Sequence, residues 1–178
     1  ITDISTGYCH TEAVSSSGKL YTWGCNNLGQ LGDGTTTIIY EPVEIPASSF
    51  GGELIVNVDA GPYQSFAITA SGNTYGWGTN TNAQLGIGTR TDTPTPEIIS
   101  SFEDSKDIIT IAAGWYGTLA ISSEGELFRW GKAPVGPIGN EGNIRDVVPV
   151  QEFLMNYFAH IDSPIVSEFY NDTVMVSV

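Results

Sequence analysis

Ser65-Phe66-Ala67-Ile68-Thr69-Ala70-Ser71-Gly72-Asn73-Thr74-Tyr75-Gly76-Trp77-Gly78 reads as strand, tight turn, strand. β-Branched and aromatic residues fill both arms, and Gly72 suits the left-handed position of a three-residue hairpin loop. Side chains alternate along a strand, so Tyr75 and Trp77 share one face. The same unit recurs. Trp-Gly stands at Trp23-Gly24, Trp77-Gly78 and Trp130-Gly131, spaced by 54 and 53 residues. In phase with it run Gly7, Gly61 and Gly114, then Gly18, Gly72 and Gly125. Beyond it come Gln30-Leu31-Gly32, Gln84-Leu85-Gly86 and a weaker Pro137-Ile138-Gly139, then Pro42, Pro96 and Pro149. Features in register over three units mark a repeat protein built from one supersecondary unit.

The recurring pairs Tyr21/Trp23, Tyr75/Trp77 and Phe128/Trp130 are expected to form the structural core of the repeats, packed between adjacent sheets. Trp115 is different. It follows Gly114 where the other units have Tyr8 and Pro62, which makes it a candidate partner contact. The expected repeats cover residues 1–54, 55–107 and 108–160, with a partial repeat or cap at 161–178. The apolar run Phe153-Leu154-Met155-Asn156-Tyr157-Phe158 suits a capping segment or a strand and loop of the third unit.

Composition agrees with a sheet protein rich in turns. The 178 residues include 21 Gly and 9 Pro, with 15% charged and 40% hydrophobic residues. Twenty acidic residues against six basic ones give a net charge of −14, which argues against nucleic acid and anionic membrane surfaces as partners. No apolar run approaches the roughly 20 residues of a membrane span, so no membrane insertion is expected.

These motifs resemble the repeat of the regulator of chromosome condensation family. The first unit carries Gly7, His10, Ala13, Gly18, Leu20, Trp23-Gly24, Asn26, Gly29-Gln30-Leu31-Gly32 and Gly34. The second keeps Gly61, Ala67, Gly72, Tyr75, Trp77-Gly78, Asn80, Gln84-Leu85-Gly86 and Gly88, with Gln64 in place of the His and Ala83 in place of a Gly. The third keeps Gly114, Leu119-Ala120, Gly125, Leu127, Trp130-Gly131 and Gly139. The resemblance implies an all-β propeller, a ring of typically about seven four-stranded blades. This chain supplies three blades and the start of a fourth, an incomplete ring. The resemblance also implies protein binding through loops on the propeller faces, and one branch of the family exchanges guanine nucleotide on a small GTPase.

Three blades leave open faces and unpaired edges, so the expected partners are further repeats of the same chain or other proteins. The function this favours is a non-catalytic protein-interaction scaffold within a larger propeller or assembly. Exchange on a small GTPase and an extracellular or virion structural or adhesive role are the alternatives.

Nothing in the sequence makes a reaction centre, and no cofactor, metal or catalytic residue is expected. His10 occupies a structural position of the repeat, where backbone hydrogen bonds and packing by Trp23 are expected. His160 has no matching ligand spacing. Asp33-Gly34-Thr35 and Gly86-Ile87-Gly88-Thr89 lack the Lys and helix of a phosphate loop. Glu103, Asp104 and Asp107 read as a solvated acidic loop, and Asn171-Asp172-Thr173 as a formal glycosylation sequon. The cysteines leave two readings open. A loop of Ser16-Ser17-Gly18 sets Ser15 opposite Lys19 and Cys9 opposite Cys25, within reach of a disulfide. A two-residue loop puts the two thiols on opposite faces and leaves them free.

Overall fold

A computed structural model describes residues 1–102 and 107–132 in full and 145–152 as backbone. The expected partial repeat or cap at 161–178, the run 153–158, His160, the sequon at 171–173, and Glu103 and Asp104 lie outside the described residues.

Twelve strands form three four-stranded antiparallel sheets, each with its strands in sequence order. The first holds β1 (Asp3–Thr6), β2 (His10–Val14), β3 (Leu20–Gly24) and β4 (Ile39–Ile45). The second holds β5 (Ile55–Ala60), β6 (Gln64–Thr69), β7 (Thr74–Gly78) and β8 (Thr93–Ile98). The third holds β9 (Ile108–Ala113), β10 (Gly117–Ser122), β11 (Leu127–Lys132) and β12 (Arg145–Glu152). These are the blades expected from the repeat.

Each β2–β3-type hairpin turns on the expected glycine, with Gly18, Gly72 and Gly125 at φ of 73°, 85° and 80°. In the first blade the Ser15 N–H donates to the Lys19 carbonyl at 2.9 Å, and His10 pairs with Gly24. That register sets Cys9 opposite Cys25. The two form a disulfide with Cα atoms 5.4 Å apart.

The outer ladder of every blade breaks at the same place. The pairing of β3 with β4 shifts between Thr22 and Gly24, that of β7 with β8 between Gly76 and Gly78, and that of β11 with β12 between Arg129 and Gly131. The residue skipped each time is the tryptophan. The glycine after it has a positive φ (107°, 94° and 82°), and a Cβ there would lie 2.4–2.5 Å from the carbonyl oxygen of Cys9, Tyr63 or Tyr116. Trp-Gly is thus a bulge in which only glycine fits.

Neighbouring blades meet through their first two strands, while β4 and β8 lie outside. Two apolar clusters fill the joints. Val14, Leu20, Val58, Tyr75 and Trp77 belong to the cluster between the first and second blades, and Phe66, Ile111, Phe128 and Trp130 to the one between the second and third. A 3₁₀ turn in each linker, Ala47–Phe50 and Ser100–Phe102, adds a buried phenylalanine. The Phe50 ring meets Tyr75 edge-on at 5.3 Å, and Phe102 meets Phe128 in the same way at 5.3 Å.

Candidate functional site

The blades are locked at their joints. The Gln30 carbonyl accepts hydrogen bonds from Trp77 Nε1 (3.0 Å) and Ser65 Oγ (2.7 Å) of the next blade. The Gln84 carbonyl accepts from Trp130 Nε1 (2.8 Å) and Thr118 Oγ1 (2.8 Å). The loops that present these carbonyls are shaped by Asn26 and Asn80, whose Oδ1 atoms each accept a backbone N–H at 3.0 Å. Gly32 and Gly86 lie flat on the indoles, with an added Cβ 2.7 Å from Nε1 in both cases. Trp77 and Trp130 are 0% and 2% exposed, and Tyr75 and Phe128 are buried with them. Tyr21 and Trp23 occupy the same positions in the first blade but are only half-buried. Among the described residues no sheet covers that face.

His10 differs from its expected surroundings. Its Nε2 lies 3.0 Å from Ser65 Oγ in the second blade, rather than on nearby backbone. The Ser65 proton goes to the Gln30 carbonyl, so the imidazole is the donor to Ser65, and its Nδ1 has no partner. Burial lowers the His10 pKa to about 4. Beside it, both carboxyl oxygens of Glu12 are buried without a hydrogen-bond partner. Burial pushes this carboxyl well up, and the charges of Asp59 and Asp3 add to it. Glu12 stands where the other blades have Phe66 and Leu119. Ser65, His10 and Glu12 do not form a catalytic triad. All three are buried, the serine proton is held by a carbonyl, and the imidazole has no carboxylate to orient it. Among the described residues no group of three or more His, Cys, Asp or Glu is placed to hold a metal ion.

The exposed chemistry lies where the first strand of each blade turns into the second. Each turn is closed alike. Gly7 N–H donates to the His10 carbonyl at 3.0 Å, Gly61 N–H to Gln64 at 2.9 Å, and Gly114 N–H to Gly117 at 2.9 Å. The loops are also tied to one another. Tyr8 N–H donates to the Pro62 carbonyl at 3.2 Å, and the Gln64 side chain donates to the Gly114 carbonyl. Their aromatic residues converge. Ring centroids are 5.7 Å apart for Tyr8 and Tyr63, 6.4 Å for Tyr8 and Trp115, and 6.2 Å for Tyr63 and Trp115. Tyr116 continues the cluster 6.3 Å from Trp115, and Lys132 Nζ stands 5.5 Å over its ring. Tyr8, Trp115 and Tyr116 remain 69%, 56% and 51% exposed.

Trp115 was the one member singled out from the sequence. Tyr8, Tyr63 and Tyr116 were not, although each repeat places an aromatic within two residues of the glycine that opens the turn.

Comparison with known proteins agrees with this architecture. The regulator of chromosome condensation (RCC1) repeat matches residues 17–68 and 71–121, and a second form of it matches residues 1–30. The chain is 34% identical over 138 residues to the ultraviolet-B receptor UVR8 of Arabidopsis thaliana, covering 76% of this chain and 30% of that protein. It is 34% identical over 137 residues to the human E3 ubiquitin-protein ligase HERC2, covering 75% of this chain and 3% of that protein. Among solved structures, human WBSCR16 superposes with a TM-score of 0.74 at 24% identity, over 90% of this chain and 40% of that one. Prp20p of Saccharomyces cerevisiae, a structure described together with its binding to Gsp1p and histones, gives 0.69 at 25% identity, over 83% and 37%. The chain thus spans well under half the length of each of these proteins. With the repeat matched over more than half of its residues, the chain belongs to the regulator of chromosome condensation (RCC1) repeat family and has that family's β-propeller fold.

Proposed function

We propose that this chain is a non-catalytic protein-interaction scaffold, part of a larger propeller or assembly, and that it docks its partner on the Tyr8–Tyr63–Trp115–Tyr116 cluster. The observation that carries the reading is the exposure of three large aromatic rings on loops that are hydrogen-bonded to one another. Exposed aromatics normally cost solubility; held rigid at one end of a fold, they suit a docking surface. The solved structure of Prp20p with its binding to Gsp1p and histones supports a binding role for a related propeller.

The larger assembly is supported by the outer face of the first blade. Ile4 is 60% exposed, while Val58 and Ile111 at the same repeat position are 5% and 6% exposed. A further blade of the same kind would cover Ile4 and Trp23. No described helix is long and apolar enough to cross a membrane. The Cys9–Cys25 disulfide favours one second reading, an extracellular structural or adhesive role, because such bonds persist in oxidising compartments.

The test is affinity capture from the native source with the wild-type chain, with Tyr8→Ser/Trp115→Ser, and with Leu54→Ser at the opposite end of the blades. A partner held by the wild type and by Leu54→Ser but lost from the double variant is expected. A partner held equally by all three would rule out the cluster as its docking site.

A further inference from the structure

We infer that the aromatic cluster seats a cationic side chain, a lysine or arginine presented by the partner protein; this rests on the reading of the cluster as the docking surface. Tyr8, Tyr63 and Trp115 form a nearly equilateral triangle of centroids with sides of 5.7, 6.2 and 6.4 Å. A cation about 3 Å above its centre lies about 4.6 Å from all three rings, inside the roughly 6 Å range of a cation–π contact. The rings are tilted to one another by 47°, 57° and 79°, so no pair forms a parallel face-to-face stack.

Charge points the same way. The chain carries 20 acidic and 6 basic residues, a field that draws cations toward it. The Asp59 carboxylate accepts the Ala113 N–H, which brings negative charge to the foot of the Trp115 loop. At the edge of the cluster the chain already places an ammonium of its own, Lys132, over Tyr116. A partner's lysine or arginine would repeat that contact on the three neighbouring rings.

Calorimetric titration tests this with two probes, a short Gly/Ser peptide carrying alternating lysine and arginine and the same peptide with glutamine at those positions. Both are measured at physiological salt against the wild type, Trp115→Phe and Trp115→Leu, with the far-ultraviolet circular dichroism and urea midpoint of each chain as the control for folding. The cationic peptide is expected to bind the wild type at least about tenfold more tightly than the glutamine peptide. Trp115→Phe should keep most of that preference, and Trp115→Leu, which retains apolar bulk without a π face, should lose it. Tyr8→Leu gives a second route to the same result. Equal binding of both peptides, lost in Trp115→Leu, would overturn the cationic seat while leaving the docking surface standing. A preference unchanged in Trp115→Leu would assign it to the general negative field and overturn the seat, as would no binding of either peptide. Failure of the docking surface itself is read separately, from the capture experiment.

Discussion

The indole N–H of Trp77 donates to the main-chain carbonyl of Gln30 at 3.0 Å, across the boundary between the first and second blades. Trp130 repeats the bond to Gln84 at the next boundary. Each indole fills a joint and satisfies its one polar atom on a loop of the blade before it, so the repeat signature Trp-Gly…Gln-Leu-Gly is a lock shared by two units. Replacing Trp77 or Trp130 by alanine should therefore cost about 3–5 kcal/mol of unfolding free energy. Trp23→Ala, on the uncovered face, should cost about 1–2 kcal/mol. Urea unfolding of the three variants gives the comparison, and equal losses at all three positions would argue against the joint.

Glu12 leaves a buried carboxyl without a partner where the third blade has Leu119. Restoring the apolar residue removes the desolvation cost. Glu12→Leu should raise the unfolding free energy at neutral pH by about 1–3 kcal/mol. A loss of stability would mean that Glu12 is compensated in a way its surroundings do not show.

The same joint sets a pH dependence. His10 has a pKa of about 4 when folded against 6.5 when free, so the unfolded chain binds the extra proton between those values. Stability should fall as pH drops from about 6.5 to 4, with His10 contributing up to about 3 kcal/mol of the loss. Glu12 acts in the opposite sense. Its raised folded pKa gives a contribution that is complete below its free value of 4.5 and is lost as pH rises through the folded one. His10→Gln, the residue found at the matching Gln64, should flatten the acid limb. Glu12→Leu should flatten the side above pH 4.5. Denaturant midpoints measured across pH for the two variants separate the limbs.

The Cys9–Cys25 disulfide closes a loop around the first hairpin, with the cysteines 16 positions apart. Cys9→Ser/Cys25→Ser should lower the unfolding free energy by about 3 kcal/mol. Mass spectrometry of the unreduced chain, two hydrogens lighter than the reduced one, checks the bond itself.

Much of this architecture is legible in the sequence because the repeats are in phase. Trp-Gly and the hairpin glycines mark all three blades, and the Gln-Leu-Gly loops the first two, without reference to any structure. What the repeat does not carry is environment. Trp23 shares with Trp77 the Tyr two residues before it, the Gly after it and the Asn three residues on, but among the described residues no sheet packs on its face, so one signature yields a half-buried ring in one place and a fully buried one in the other. Glu12 reads as an ordinary polar residue of an alternating strand. Only alignment against Phe66 and Leu119 marks it as facing a joint. The aromatic cluster is hidden because its aromatics slip in register: Tyr8 directly follows its glycine, Tyr63 lies two residues after its own, and Trp115 and Tyr116 take both places. Convergence of the three loops depends on blade packing, which single-repeat motifs do not encode. Phe50 and Phe102 were missed for a similar reason, since they lie in linkers outside the signature.

Residue-level oxidative footprinting of the four tryptophans, read by mass spectrometry on the folded chain, tests both the locked joints and the open cluster. Trp115 should react fastest and Trp23 more slowly, while Trp77 and Trp130 stay protected until the blades unfold. Rapid modification of Trp77 or Trp130 in the native chain, or protection of Trp115 equal to theirs, would contradict blades stacked through their indoles with an aromatic surface left open for a partner.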